Sequence, residues 1–228
     1  IYLGSPEYMA SFVRKFAAAG VQFIGGCCGT TPNHIRAMRS TLRALDVRKT
    51  TTVAATTTSV QNSVEPPPLP KRSQLGADLV AGKFVAMVEI VPPRGINSQR
   101  ELDAATMLAQ HGVKTINVPD SPRASARMSA LSLCLQIQQQ VRSETVLHYT
   151  CRDRNVLSIQ SDLLGAASLG LRNILCLTGD PPKLGNYPDA TAVFDVDAIG
   201  LVNIVRNLNH GLDIGGNSIG ASTGFAIG

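Results

Sequence analysis

The chain has 228 residues, 44% hydrophobic and 16% charged but only 4% aromatic, with a net charge of +5. That is the composition of a globular protein able to build a core, and no apolar run approaches the ~18 residues of a membrane span. No signal-peptide pattern opens it, and without a basic stripe interleaved with aromatics nucleic acid is excluded as an expected partner, whereas a weakly basic surface suits small anionic substrates.

Both ends read as cuts in a longer polypeptide, since the chain opens on Ile1 and closes at Gly228 in a Gly/Ser-rich stretch. Ser5-Pro6-Glu7 sets a capping hydroxyl before a proline at the first helical position. The helix ends at Gly20, and Gly20-Val21-Gln22-Phe23-Ile24 predicts a strand over 21–24. The same turn recurs at Gly112-Val113-Lys114-Thr115-Ile116 and Gly170-Leu171-Arg172-Asn173-Ile174. Each glycine can take the left-handed conformation that ends a helix, and the short connection then enters a buried parallel strand. Such alternation predicts βα units.

Cys27 and Cys28 follow the first strand and precede a helix starting near Thr31-Pro32. Thiolates at a strand end beside glycines suit a metal site, but catalytic zinc needs three protein ligands and this segment supplies two. His34 is the nearest candidate for a third; buried structural cysteines are the alternative. Five cysteines in all, with Cys134, Cys151 and Cys176, make an odd number that points to a reducing, cytoplasmic setting. Residues 47–76 break the pattern: two Thr triplets precede Pro66-Pro67-Pro68 and Pro70, too little apolar surface to offset ordering entropy, so a linker is expected there.

Beyond it, Phe84-Val85-Ala86-Met87-Val88-Glu89-Ile90 predicts a strand over 84–90 interrupted by one acid. At the mouth of a barrel Glu89 suits a general acid; a structural ion pair with Arg94 is the alternative. Ser98-Gln99-Arg100-Glu101 reads as a capping box for a helix carrying Leu102, Ala105, Leu108 and Ala109. Further strands are expected over 115–118, 146–150, 173–178 and around 220–227, and Asn155 can cap a helix reaching about Leu169. His148 lies in the third of these strands, where a satisfied core histidine is the alternative to a site residue. Leu177-Thr178-Gly179-Asp180-Pro181-Pro182 closes another strand: Asp180 can accept hydrogen bonds from amino or ring N–H groups, although a turn built for geometry explains Gly179 and the prolines as well.

Ile24-Gly25-Gly26-Cys27-Cys28-Gly29-Thr30-Thr31-Pro32-Asn33-His34-Ile35, with Pro6-Glu7-Tyr8 before it, resembles the C-terminal end of homocysteine S-methyltransferases over residues 1–45. The resemblance implies that Cys27 and Cys28 ligate Zn2+ together with a cysteine from an earlier strand, the metal holding the homocysteine thiol as a nucleophilic thiolate. The earlier cysteine is absent here, so this half is expected to be inactive. Residues 1–46 are then the end of one (β/α)8 barrel.

Glu89-x-x-Pro92-Pro93, Val118-Pro119-Asp120, His148-x-Thr150-Cys151 and Thr178-Gly179-Asp180-Pro181-Pro182 follow in order, one per βα unit. The order resembles the first half of methylenetetrahydrofolate reductase over residues 80–228, and the expected fold is α/β, a partial (β/α)8 TIM barrel from 77 to 228. The resemblance implies FAD, reduced by NAD(P)H, that passes hydride to 5,10-methylenetetrahydrofolate to give 5-methyltetrahydrofolate. It implies Glu89 as the general acid and Asp180 as the acid beside the pteridine and flavin rings. His148, Thr150, Thr178 and Gly179 fall on cofactor-binding positions, Thr178 where the family often has Arg. Phe194 and Asp195 fall near a further flavin stretch, and Asp120 where some members have Thr or Tyr. The expected function is a reductase of one-carbon metabolism fused to a methyltransferase that makes methionine. Its partners are small molecules: methylenetetrahydrofolate, homocysteine and NADH or NADPH. A homo-oligomer stays open, and this fragment is expected to turn over little. A zinc methyltransferase with a degenerate reductase-like module is the runner-up, and a scaffold that has lost its chemistry is the third reading.

Overall fold

A computed structural model describes residues 4–21, 23–27, 29–43 and 63–228. The chain divides into two compact units, Ile1–Ser59 and Val60–Gly228. In the first, α1 (Pro6–Ala18) packs on α2 (Pro32–Arg43), burying Ala10 and Val13 against Met38 and His34. Ser5 caps α1 as expected, its hydroxyl accepting from the Tyr8 N–H at 3.2 Å. The strand expected over 21–24 does not form among its described residues, and Phe23 is 92% exposed. The cause is pairing: the described part of this unit contains no other strand, and a lone strand leaves its backbone groups without partners.

The second unit is a five-stranded parallel sheet in the order β1-β2-β3-β4-β5. Its strands are Met87–Glu89, Thr115–Val118, Glu144–Thr150, Asn173–Leu177 and Ala226–Ile227. Helices α4 (Gln99–Gln110), α5 (Ala130–Gln140), α6 (Val156–Ser168) and α7 (Ala198–Asn209) join them in turn. Sequential order with crossovers of one hand puts these four helices on the same face of the sheet. Ile116, Val118, Leu147, Tyr149, Ile174 and Cys176 point to that face and close one core with Leu102, Leu133, Ile159, Leu163 and Leu201. Gly112 and Gly170 end their helices at φ +87° and +90°, the left-handed turn that the repeated pattern demands.

Two elements are shorter than the sequence predicts. The strand over 84–90 contracts to β1 because Met87 already pairs with Thr115, the first residue of β2, so Phe84 to Ala86 have no partner and Phe84 is 96% exposed. The stretch 220–227 supplies only β5, the glycines before it holding a loop. The capping box at Ser98 is also not made. Asn97 Oδ1 accepts from the Gln99 N–H at 3.0 Å, while the Ser98 hydroxyl turns away to Gln136.

Of the expected linker, 47–62 lies outside the described residues. The remainder is tied to the second unit: Val64 N–H donates to His210 O at 2.8 Å and Arg72 Nη1 to Phe225 O at 3.0 Å. A helical turn over Leu69–Lys71 leads into α3 (Gln74–Val80). The Glu144 carboxylate, at the start of β3, accepts from the N–H groups of Gln74 (2.6 Å) and Leu75 (2.8 Å), and so anchors α3.

Candidate active site

Register decides which side chains meet. Glu89 pairs with Asn117, and Asn117 with Val146, two residues before His148. Parallel partners share a face and alternate residues return to it, so Glu89, Asn117 and His148 all project from the face opposite α4 to α7. His148 Nε2 lies 3.2 Å from Asn117 Oδ1. An amide oxygen only accepts, so Nε2 carries the hydrogen and Nδ1 remains an acceptor. Burial lowers the proton affinity of His148, while Glu89 and Asp120 push it back up without restoring it. The imidazole is therefore neutral at pH 7. Glu89 is exposed, and among the described residues no ion pair joins it to Arg94. Half-buried Leu175 and Leu177 continue the same face onto β4 as an apolar floor.

Gly179 takes φ +93°, and a Cβ there would stand 2.9 Å from Thr150 Cβ and 3.2 Å from Arg152 Cβ. Only glycine lets the loop after β4 lie against the end of β3. Asp180 Oδ2 accepts from the Arg123 N–H at 3.2 Å, and Asn186 Oδ1 from the Ala126 N–H at 3.0 Å. These bonds clip the loop after β4 to the loop after β2. Ser121, Arg123 and Ala124 hold positive φ of 44°, 56° and 49°, so backbone strain is concentrated where the loops dock.

The other residues singled out by the resemblance make internal bonds. Asp120, 6% exposed, accepts from Thr150 N (3.1 Å) and Thr150 Oγ1 (3.0 Å) and pairs with Arg154 at 2.6 Å. Thr178 Oγ1 accepts from Ala198 N–H at the start of α7, and Asp195 Oδ2 from Val156 N–H at the start of α6. Phe194 packs against the core from a left-handed backbone, φ +44°. The structure thus brings Glu89 and His148 together across the strand ends and sets Gly179 against Thr150. It does not gather Phe194 or Asp195 into that row.

Two residues escaped the sequence reading. Asn117 was signalled only as a polar side chain in a short apolar strand. Arg154 was signalled only as one of a pair of arginines after Cys151, and its partners lie far off in sequence.

The described residues do not fit a zinc centre. No group of three or more His, Cys, Asp or Glu among them could hold a metal ion. Cys27 is exposed and Cys28 lies outside the described residues. His34 is buried with both ring nitrogens engaged: Nδ1 accepts from Thr31 N–H at 3.1 Å and Nε2 lies 2.9 Å from Gly4 O. A carbonyl only accepts, so Nε2 is protonated and neither nitrogen offers a lone pair to a metal.

Comparison with known proteins separates the same two segments. The family model of homocysteine S-methyltransferase matches residues 1–42 and that of methylenetetrahydrofolate reductase matches residues 74–218. The chain therefore spans a junction between the two. It is 28% identical over 102 residues to a protein of Oryza sativa subsp. japonica named probable methylenetetrahydrofolate reductase (NADH). That stretch is 44% of this chain but 17% of the relative, so the chain spans only a small part of the relative's length. The longer match takes in β1 to β4 and the whole row from Glu89 to His148, and on that extent the chain belongs to the methylenetetrahydrofolate reductase family.

Proposed function

We propose that the second unit is the first part of a (β/α)8 barrel that reduces 5,10-methylenetetrahydrofolate to 5-methyltetrahydrofolate with NAD(P)H. The barrel follows a homocysteine S-methyltransferase of methionine synthesis, with the Thr/Pro-rich stretch between the two. The observation that carries this reading is the row Glu89, Asn117 and His148 on the sheet face opposite α4 to α7. An acid, an amide and a neutral imidazole at adjacent strand ends, beside an apolar floor of Leu175 and Leu177, suit a planar heteroaromatic ring and a substrate lying on it.

Glu89, exposed at the end of β1, donates the proton that opens the bridging carbon–nitrogen system of the folate to an electrophilic iminium. His148 presents Nδ1 as an acceptor and is held in that orientation by Asn117. Arg123 N–H occupies Asp180 Oδ2, which leaves Oδ1 to accept from pteridine or ring N–H groups. Thr178 and Gly179 would help to hold FAD through the backbone of the loop after β4. Asp120, Thr150, Phe194 and Asp195, the other positions that would help to hold FAD, also brace these loops from within. FAD, when bound, supplies the hydride carrier between nicotinamide and folate. The name of the rice relative favours NADH as the reductant. Buried thiols at Cys134, Cys151 and Cys176 agree with a reducing, cytoplasmic setting, and no helix among the described residues is long and apolar enough to cross a membrane. With β1 and β5 as open sheet edges among the described residues, the 228-residue chain alone turns over little or no substrate.

Glu89→Gln, placed in a polypeptide that carries both complete enzymes, separates the half-reactions. Flavin reduction by NAD(P)H is expected to persist while folate reduction falls roughly 10²–10⁴-fold. Folate reduction at the native rate would defeat the assignment.

A further inference from the structure

We infer that Arg154 is a positioning residue: by clamping Asp120 it locks the carboxyl ends of β2 and β3 together and so fixes His148 and the Gly179 loop. The reductase reading enters only in what the site binds; the clamp is a matter of geometry. Arg154 Nη1 stands 2.6 Å from Asp120 Oδ2 and Nη2 3.4 Å from Asp120 Oδ1, while Nε reaches Asp162 Oδ2 at 3.2 Å. The guanidinium also lies over the Tyr149 ring, 4.5 Å from its centroid, and the Tyr149 hydroxyl donates to Asp162 at 2.8 Å. A planar fork that is always charged can hold two carboxylates and stack on a ring at once, which an ammonium cannot.

Asp120 passes the constraint on. It lies two residues beyond the end of β2 and accepts from both the backbone N–H and the hydroxyl of Thr150, the last residue of β3. Thr150 is the surface on which Gly179 rests, and Tyr149, held by the guanidinium, is the neighbour of His148. Without Arg154, a carboxylate 6% exposed is left without its counter-charge beside a half-buried imidazole. The charged groups around His148 are Glu89 from β1 and Asp120 from the end of β2, with Arg154, Asp153 and Asp162 behind them.

The test is an NMR titration of the His148 ring in the 228-residue chain. In Arg154→Met the midpoint is expected to rise by roughly half a pH unit or more, because Asp120 then faces the ring uncompensated. Adding Asp120→Asn is expected to bring it back to the native value or below. Loss of packing alone would lower the melting temperature and leave that midpoint in place. An unmoved midpoint in Arg154→Met, or a double variant indistinguishable from the single one, overturns the inference. Should Arg154→Met fail to fold, Arg154→Gln is titrated in its place: a raised midpoint upholds the clamp and an unmoved one overturns it. A complete-barrel polypeptide that binds no FAD would defeat the reductase reading while leaving this titration, and the clamp, to be judged independently.

Discussion

At Gly179 one hydrogen in place of a methyl group decides whether two loops can meet. Gly179→Ala must relieve both a left-handed backbone and a 2.9 Å approach to Thr150 Cβ. It is expected to cost about 1–3 kcal/mol, read as a lowered urea midpoint. His148 sets a second residue-scale expectation. Its folded-state proton affinity is depressed below the usual histidine value by burial, so on acidification the unfolded chain takes up the proton first. The stability that depends on neutral His148 is complete above about pH 6.5 and declines as pH falls towards the folded-state value. Melting temperatures measured from pH 7.5 down to about 5 should drop, and His148→Gln should flatten that slope. Glu89 and Gly179 were legible in the sequence because each is an anomaly in its own segment, an acid in an apolar strand and a glycine where a strand ends. Asn117 and Arg154 were not, since their meaning lies in partners 31 and 34 residues away.

Among the elements, the end signals that worked were those closed locally. Asn155 Oδ1 accepts from the Ser158 N–H at 2.9 Å and starts α6 where the sequence placed it; Asn155→Ala should destabilise the chain by about 1 kcal/mol in chemical unfolding. The Ser98 box failed because Gln136 on α5 competed for the hydroxyl, and nothing in residues 98–101 announces that competitor. The strands over 115–118, 146–150 and 173–178 were readable because their alternate positions, Ile116 and Val118, Leu147 and Tyr149, Ile174 and Cys176, are apolar towards the core. The strand over 84–90 was overestimated because apolar character shows burial somewhere, not the length of the neighbouring strand. The anchor of α3 was illegible for the same reason as Arg154. Glu144→Gln removes the charge from two hydrogen bonds to helix N–H groups. It should release α3 at a cost of about 1 kcal/mol, seen as earlier proteolysis near residues 74–80 than in the native chain.

On the scale of the whole molecule, the core doubles as a store of protonated thiols. Burial pushes Cys134 and Cys176 up to about 12 and Cys151 to about 11, against 9.0 in the open chain. Raised folded-state values mean that the associated stability is present below about pH 9 and is lost as pH climbs towards the folded values. Unfolding midpoints should therefore fall across that alkaline range, and these three thiols should react with a disulfide reagent only as the chain unfolds. The division into two enzymes was legible from the order of the motifs, and the two family matches agree with it. What the motifs could not convey is that a strand such as 21–24 exists only in the company of others.

Among the described residues β1 is a rim strand of three residues, held by β2 alone, and it bears Glu89. The aim of that acid is thus borrowed from one neighbour, and any chain that comes to lie along the vacant side of β1 will also steer it. Docking of that chain and orientation of the Glu89 carboxylate then become a single event. Deuterium uptake should show it directly: amides at 87–89 exchange far sooner than those of β3 until that side is filled, and then slow.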